Sequence, residues 1–243
     1  MPAAGRKPRG LDFAAGLTNC LNERSFSTRS GRIADLTAPI PAADLRSTMI
    51  IDSIRKVFAE KGFDGASMQD LARAAGMSVG NFYRYFPSKA AIVEALVTQD
   101  LATMEQDFAA IINAPQPMQS LRTTLESRIH GHICADDGPI WAEITAAALR
   151  KAEIGTIVSH MEAEVIGYLI AVFARDTGLD PATVRLRFQT HAELVVLLVK
   201  ASAMQKSDAG APRDALIALT LRMIDRILDE VSDATPNPSE SPL

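Results

Sequence analysis

The chemistry most legible in the sequence lies in one short stretch, Ser78–Phe86, which reads as a single helix carrying Gly80, Asn81 and Arg84. At about 100° per residue, with Phe82 set at 0°, Phe86 falls at about 40° and Val79 at about 60°, so these three share an apolar back. Gly80 at about 160°, Arg84 at about 200° and Asn81 at about 260° form the opposite face, flanked by Tyr83 and Tyr85. An asparagine amide matches the donor and acceptor on adenine's major-groove edge, and a guanidinium matches the two acceptors of guanine. A glycine beside them lets the helix come close to a base edge. The tyrosine hydroxyls can reach phosphate oxygens, although aromatics in this pattern also fit packing positions. Asn81 also suits a supporting role in the first turn of its helix.

Such a helix reads bases only if other elements hold it. The spacing of Ile50, Ile54, Val57 and Phe58 predicts a first helix from about Asp44 to Lys61, closed by Gly62, with Phe63 folding back toward the core. Ser67 is an N-cap for a second, short helix with Asp70 three residues on and Leu71 and Ala72 buried; it ends near Ala75-Gly76. Ser78 caps the third helix, Pro87 breaks the chain, and Ser88 caps a long fourth helix to about Ala114. Two short helices joined by a glycine-containing turn make a helix-turn-helix. The capped N-termini at Ser67, Ser78 and Ser88 offer backbone N–H groups to phosphates, and Lys89 adds a charge.

The run FAEKGFDGASMQDLARAAGMSVGNFYRYFPSKAAIVEAL within Ile50–Leu96 resembles the DNA-binding domain of the TetR family of transcriptional regulators. The residues that match are Phe58, Gly62, Phe63, Ser67, Gly76, Met77, Ser78, Gly80, Phe82, Tyr83, Tyr85, Phe86, Ser88 and Lys89. Arg84 occupies a position where the family varies, and Ala90 stands where an acidic residue is common. The resemblance implies an all-α fold. An N-terminal three-helix helix-turn-helix domain is joined by a long fourth helix to a C-terminal helical domain for ligand binding and dimerisation. It also implies a sequence-specific, homodimeric repressor released from palindromic double-stranded operator DNA by a small, largely hydrophobic effector. The residues expected at the DNA are Ser67, Ser78, Val79, Gly80, Asn81, Tyr83, Arg84, Tyr85 and Lys89.

Composition agrees with this organisation. The net charge of −4 conceals an asymmetry: residues 1–89 hold 13 Lys+Arg and 8 Asp+Glu, whereas residues 90–243 hold 12 and 21. A basic front and an acidic back suit a chain that meets phosphate at one end. Residues 1–43 are rich in Gly, Pro, Ser and Arg and are expected to be a disordered basic extension; such an arm could enter a minor groove or be a solvated tail. The domains expected beyond it are 44–90, 91–233 and a disordered tail at 234–243. Two cysteines far apart, Cys20 and Cys134, make no disulfide framework. No apolar leader begins the chain, and the run Leu194–Val199 is too short to span a bilayer, so a cytoplasmic protein with no membrane partner is expected. P-loop, dinucleotide and nucleophile-elbow motifs are absent, which speaks against an enzyme and against a cofactor.

Behind the fourth helix, helical stretches are predicted at about 118–134, 139–151, 153–176, 181–205 and 212–232, with Pro139, Pro181 and Pro212 near their starts. The middle ones carry His130, Cys134, Trp141, Met161, Tyr168 and His191, the residues the resemblance implies for an effector pocket, though ordinary packing fits each as well. On a helix His130 and His132 lie about 200° apart, so His-Gly-His-Ile-Cys makes no metal site. The resemblance places the dimer interface on the last two helices, through Val195, Leu198, Leu219, Met223 and Ile227. An activator or architectural DNA binder on the same fold stays open from sequence alone.

Overall fold

A computed structural model describes residues 42–130, 137–205 and 211–234. The expected N-terminal extension up to residue 41, Cys134, and the tail from 235 lie outside the described residues. Among the described residues the chain is all-α. Its helices are α1 (Ala42–Lys61), α2 (Met68–Ala74), α3 (Val79–Tyr85), α4 (Lys89–Asn113), α5 (Pro117–His130), α6 (Asp137–Arg150), α7 (Ala152–Thr177), α8 (Pro181–Ala203) and α9 (Ala211–Ser232).

The boundaries follow from local chemistry. Gly62, Gly76 and Gly178 take φ of 73°, 64° and 72°, the left-handed conformation that glycine adopts without a Cβ penalty. At Gly76 a Cβ would meet nothing, so the backbone angle alone asks for glycine there. The turn around it is closed by Met77 N–H to Ala72 C=O (2.9 Å) and Gly76 N–H to Arg73 C=O (3.1 Å), a Schellman pair that ends α2. Asp180 caps α8, its carboxylate accepting from the Ala182 and Thr183 amides, with Pro181 at the first helical position.

Two cores result, and they do not part at residue 90. The first joins α1–α3 (Ile54, Phe58, Leu71, Phe82) to the front half of α4 (Ile92, Val93, Leu96), to α6 (Ile140, Ile144) and to the start of α7 (Ile154, Val158). The second joins the end of α4 (Phe108, Ile111) to α5, α8, α9 and the back half of α7 (Leu169, Phe173). The buried Arg55 of α1 pairs with Asp100 of α4, tying the front helices to the long connector.

Between the cores, burial lapses on two packed helices at once. No residue of α4 from Thr98 to Asp107 is buried, nor any of α7 from Ser159 to Tyr168. Helix α7 is long and apolar enough to cross a membrane by length and composition, a feature the sequence reading overlooked, yet it packs along α4, α6 and α8. Only 28% of its most apolar stretch is buried inside the chain.

Helix α8 divides cleanly. Val184, Phe188, Ala192 and Val195 face inward, while Leu186, Leu194, Leu197 and Met204 face out. On α9, Leu216, Leu219 and Met223 are exposed. Two residues expected at an interface are corrected here. Val195 and Ile227 lie on the inner faces of their helices and pack in the chain's own second core, so they have no surface left to offer.

Candidate nucleic-acid interface

Helix α2 is held at its start by a reciprocal pair. Ser67 Oγ accepts from the Asp70 amide (3.1 Å), and Asp70 Oδ2 accepts from the Ser67 amide (3.1 Å). Lys61, at 2.8 Å, is the largest influence holding the Asp70 carboxyl far below the usual carboxylate range, with Ser67 next. A carboxyl whose folded pKa is depressed contributes stability above its unfolded value near 3.8 and loses it as pH falls further. The α1–α2 corner is therefore electrostatically intact at any pH well above 4.

Helix α3 is anchored by Phe82, fully buried with its ring 5.2 Å from that of Phe86. Ser78 caps it, accepting from the Asn81 amide at 3.4 Å. The exposed face carries Gly80, over which a Cβ would meet nothing, and Arg84, which donates to Asn81 Oδ1 at 2.9 Å. The two polar side chains thus lie together, one helical turn apart. Tyr83 and Tyr85 are 47% and 60% exposed, which removes them from the core, and Arg84 sits 5.6 Å from the centre of the Tyr85 ring. Val79, which the helical wheel groups with the apolar back but the resemblance expects at the DNA, is 39% exposed at the first position of α3.

Lys89 has a different place from the free cation the sequence suggests. Its ammonium donates to the carbonyls of Phe63 (2.8 Å) and Asp64 (3.0 Å) and lies 5.4 Å from the centre of the Phe63 ring. Burial, then repulsion from Lys151, lowers its pKa against the opposing pull of Asp64. Lys89 therefore clamps the turn between α1 and α2.

The same turn is gripped from the C-terminal helices by residues no local sequence signal reveals. Glu143 of α6 accepts from the Phe63 amide at 3.0 Å and packs against Gly62. Asp64 pairs with Arg150 (2.8 Å) and Lys151 (2.5 Å) at the α6–α7 corner, and Lys151 lies 4.9 Å from the centre of the Phe63 ring. Lys151 and then Arg150 hold the Asp64 carboxyl below its ordinary value. The helix-turn-helix is thereby mechanically connected to the back of the molecule. Glu143→Ala would leave the half-buried Phe63 amide without its acceptor and is expected to cost about 1–2 kcal/mol in a denaturant melt. Glu143→Gln, which keeps an acceptor oxygen, should recover most of that loss.

Residues 50–96, spanning α1 to the first turns of α4, match the family described as bacterial regulatory proteins, tetR family. Over these residues the chain carries a TetR-family DNA-binding domain. UidR of Escherichia coli is 38% identical over 114 residues, which is 46% of this chain and 57% of UidR, so little more than half of that relative is matched. GusR of Salmonella enterica superposes over 81% of this chain and all of its own, with a TM-score of 0.61 at 21% identity. FadR of Bacillus subtilis, solved in complex with stearoyl-CoA, superposes over 76% of this chain and 97% of its own, with a TM-score of 0.54 at 20% identity. These likenesses establish the fold.

Of the six residues named for an effector pocket, the five described do not converge. Cys134 lies outside the described residues. His130 is exposed at the end of α5, and Trp141 packs beside the first core. His191 contacts Glu230 at 3.2 Å and stacks edge-on against Phe188, between α8 and α9. Only Met161 and Tyr168 lie in the stretch of α7 where burial lapses, and only Tyr168 lines the groove there. Its other lining residues come from α4 (Glu94, Val97, Thr98, Leu101, Ala102, Glu105) and from the front half of α7 (Thr156, Ile157, His160), and an unfilled groove leaves no period in a helix pattern. Among the described residues no cluster of three or more His, Cys, Asp or Glu is placed to hold a metal ion.

Proposed function

We propose that this chain acts as a homodimeric repressor that leaves its operator when a small apolar effector enters the gap between α4 and α7. The observation that carries the reading is α3. A fully buried phenylalanine fixes its back, and Gly80, Asn81 and Arg84 stand exposed on its front. Arg84 and Asn81 would address bases, Tyr83 and Tyr85 phosphates, and the amides at the Ser67, Ser78 and Ser88 caps would complete the backbone contacts.

A single helix-turn-helix reads few bases, and a two-fold dimer places two recognition helices about one DNA turn apart. The outward stripe of Leu194, Leu197, Leu216, Leu219 and Met223 on α8 and α9 offers the surface for that dimer, with half-buried Leu198 beside it. Effector entry would displace α4 from α7. The α6–α7 corner would carry that movement to the α1–α2 turn through Glu143 and Asp64, shifting the two recognition helices off their spacing. A coupling of about 1–3 kcal/mol is the usual scale of such linkage. The neighbouring FadR fold, solved around stearoyl-CoA, supports an apolar ligand within this architecture.

Arg84→Ala is expected to cost about 1–3 kcal/mol on the specific operator and to relax preference at one base position. Titration against operator and random duplex at several salt concentrations checks this. Equal losses on both DNAs would remove Arg84 from the base-reading role.

A further inference from the structure

The groove between the two cores has a volume of about 510 Å3 and one sign of charge. Val97 and Leu101 of α4 and Ile157 of α7 form its apolar part, Tyr168 stands at one end, and Glu94 and Glu105 line it from α4. No lysine or arginine lines it, and His160 is its one nitrogen base. Arg128 pairs with Asp107 at 2.6 Å, and Lys200 pairs with Glu162. The Tyr168 phenol is raised first by burial, then by the charges of Glu105 and Glu164, which reports a negative field at that end of the groove.

We infer that the effector is a lipophilic cation, an aromatic or branched apolar body bearing one positive charge, seated on Val97, Leu101 and Ile157 with its charge beside Glu105 at the Tyr168 end. This rests on the reading of the groove as the effector site. An apolar body replaces water over a surface the fold leaves half-covered, and the face of Tyr168 adds a favourable site for a cation. A carboxylate or phosphate in the same place would meet the Glu105 charge and no lysine or arginine among the lining residues, so the groove discriminates by repulsion as well as by attraction.

The full-length protein should be titrated calorimetrically with tetraphenylphosphonium and with tetraphenylborate, ions of matched shape and opposite charge, and the operator affinity measured with each. The cation should bind saturably, at one site per chain, and more tightly than the anion. Glu105→Gln should weaken it about two- to fivefold, and Glu94→Gln, some three turns away along α4, by less. Ala102→Trp, which fills the groove from an exposed position, should abolish binding. Equal or tighter binding of the anion, binding of neither ion, or cation binding that survives Ala102→Trp would overturn the assignment. Cation binding that responds to Glu105→Gln and Ala102→Trp without changing operator affinity would uphold the ligand class and defeat the effector reading instead.

Discussion

Asp100→Ala is expected to destabilise the chain by about 3 kcal/mol, because it removes the carboxylate from a buried guanidinium. Arg55 of α1 lies almost wholly inside the first core, and the ion pair with Asp100 spans from the DNA-binding helices to the middle of α4. A guanidinium keeps its charge at any pH in use and cannot escape by deprotonating. The loss therefore falls on the packing of α1 against α4. Asp100→Asn keeps an acceptor and should cost roughly half as much, since only the charge is removed. Denaturant melts of the two variants measure the difference. Near-equal stability of Asp100→Ala and the parent would show that α1 is held by its apolar contacts alone.

Leu197→Glu should have the largest effect on DNA. Leu197 is 61% exposed on the outer face of α8, so a glutamate there disturbs nothing inside one chain. In a two-fold dimer the same substitution buries two carboxylates in one apolar seam, each costing several kcal/mol unless it finds a partner. Sedimentation should show monomers at concentrations where the parent is a dimer, with an unchanged thermal transition for the individual chain. Operator affinity should fall about 10²–10⁴-fold, because the second half-site no longer gains from being linked to the first. A dimer of undiminished affinity would move the interface away from the α8–α9 surface.

The fold was readable wherever the determinants are local. Ser67, Ser78 and Ser88 set three helix starts, Gly62 and Gly76 set two ends, and Pro181 lies at the first position of α8. The recognition helix was readable for the same reason, since one wheel of seven residues separates Phe82 from Gly80, Asn81 and Arg84. The wheel alone groups Val79 with the apolar back, because it shows direction and not depth, whereas the family resemblance expects it at the DNA; it is 39% exposed. Lys89 escaped because its partners are carbonyls of Phe63 and Asp64, and a sequence shows no free acceptors.

The back half was harder for a different physical reason. Val195 and Ile227 carry the same residue types as the outward Leu197 and Leu219, and only the rotation of each helix about its axis decides which face meets the chain's own core. The link from Glu143 to Phe63, and that from Asp64 to Arg150 and Lys151, join residues some eighty positions apart, where no pattern along the chain connects them. The groove between α4 and α7 is defined by missing packing, which leaves no mark in composition.

The central claim is that α3 reads base sequence, and it is tested most directly by selecting from a random duplex pool with the purified protein and repeating the selection with Arg84→Ala. The parent should enrich an inverted repeat whose half-sites lie about one helical turn apart, and the variant should lose preference at one symmetric position while keeping the rest. Failure of the parent to enrich any sequence, with binding that is uniform across the pool and vanishes with salt, would contradict base reading by Asn81 and Arg84.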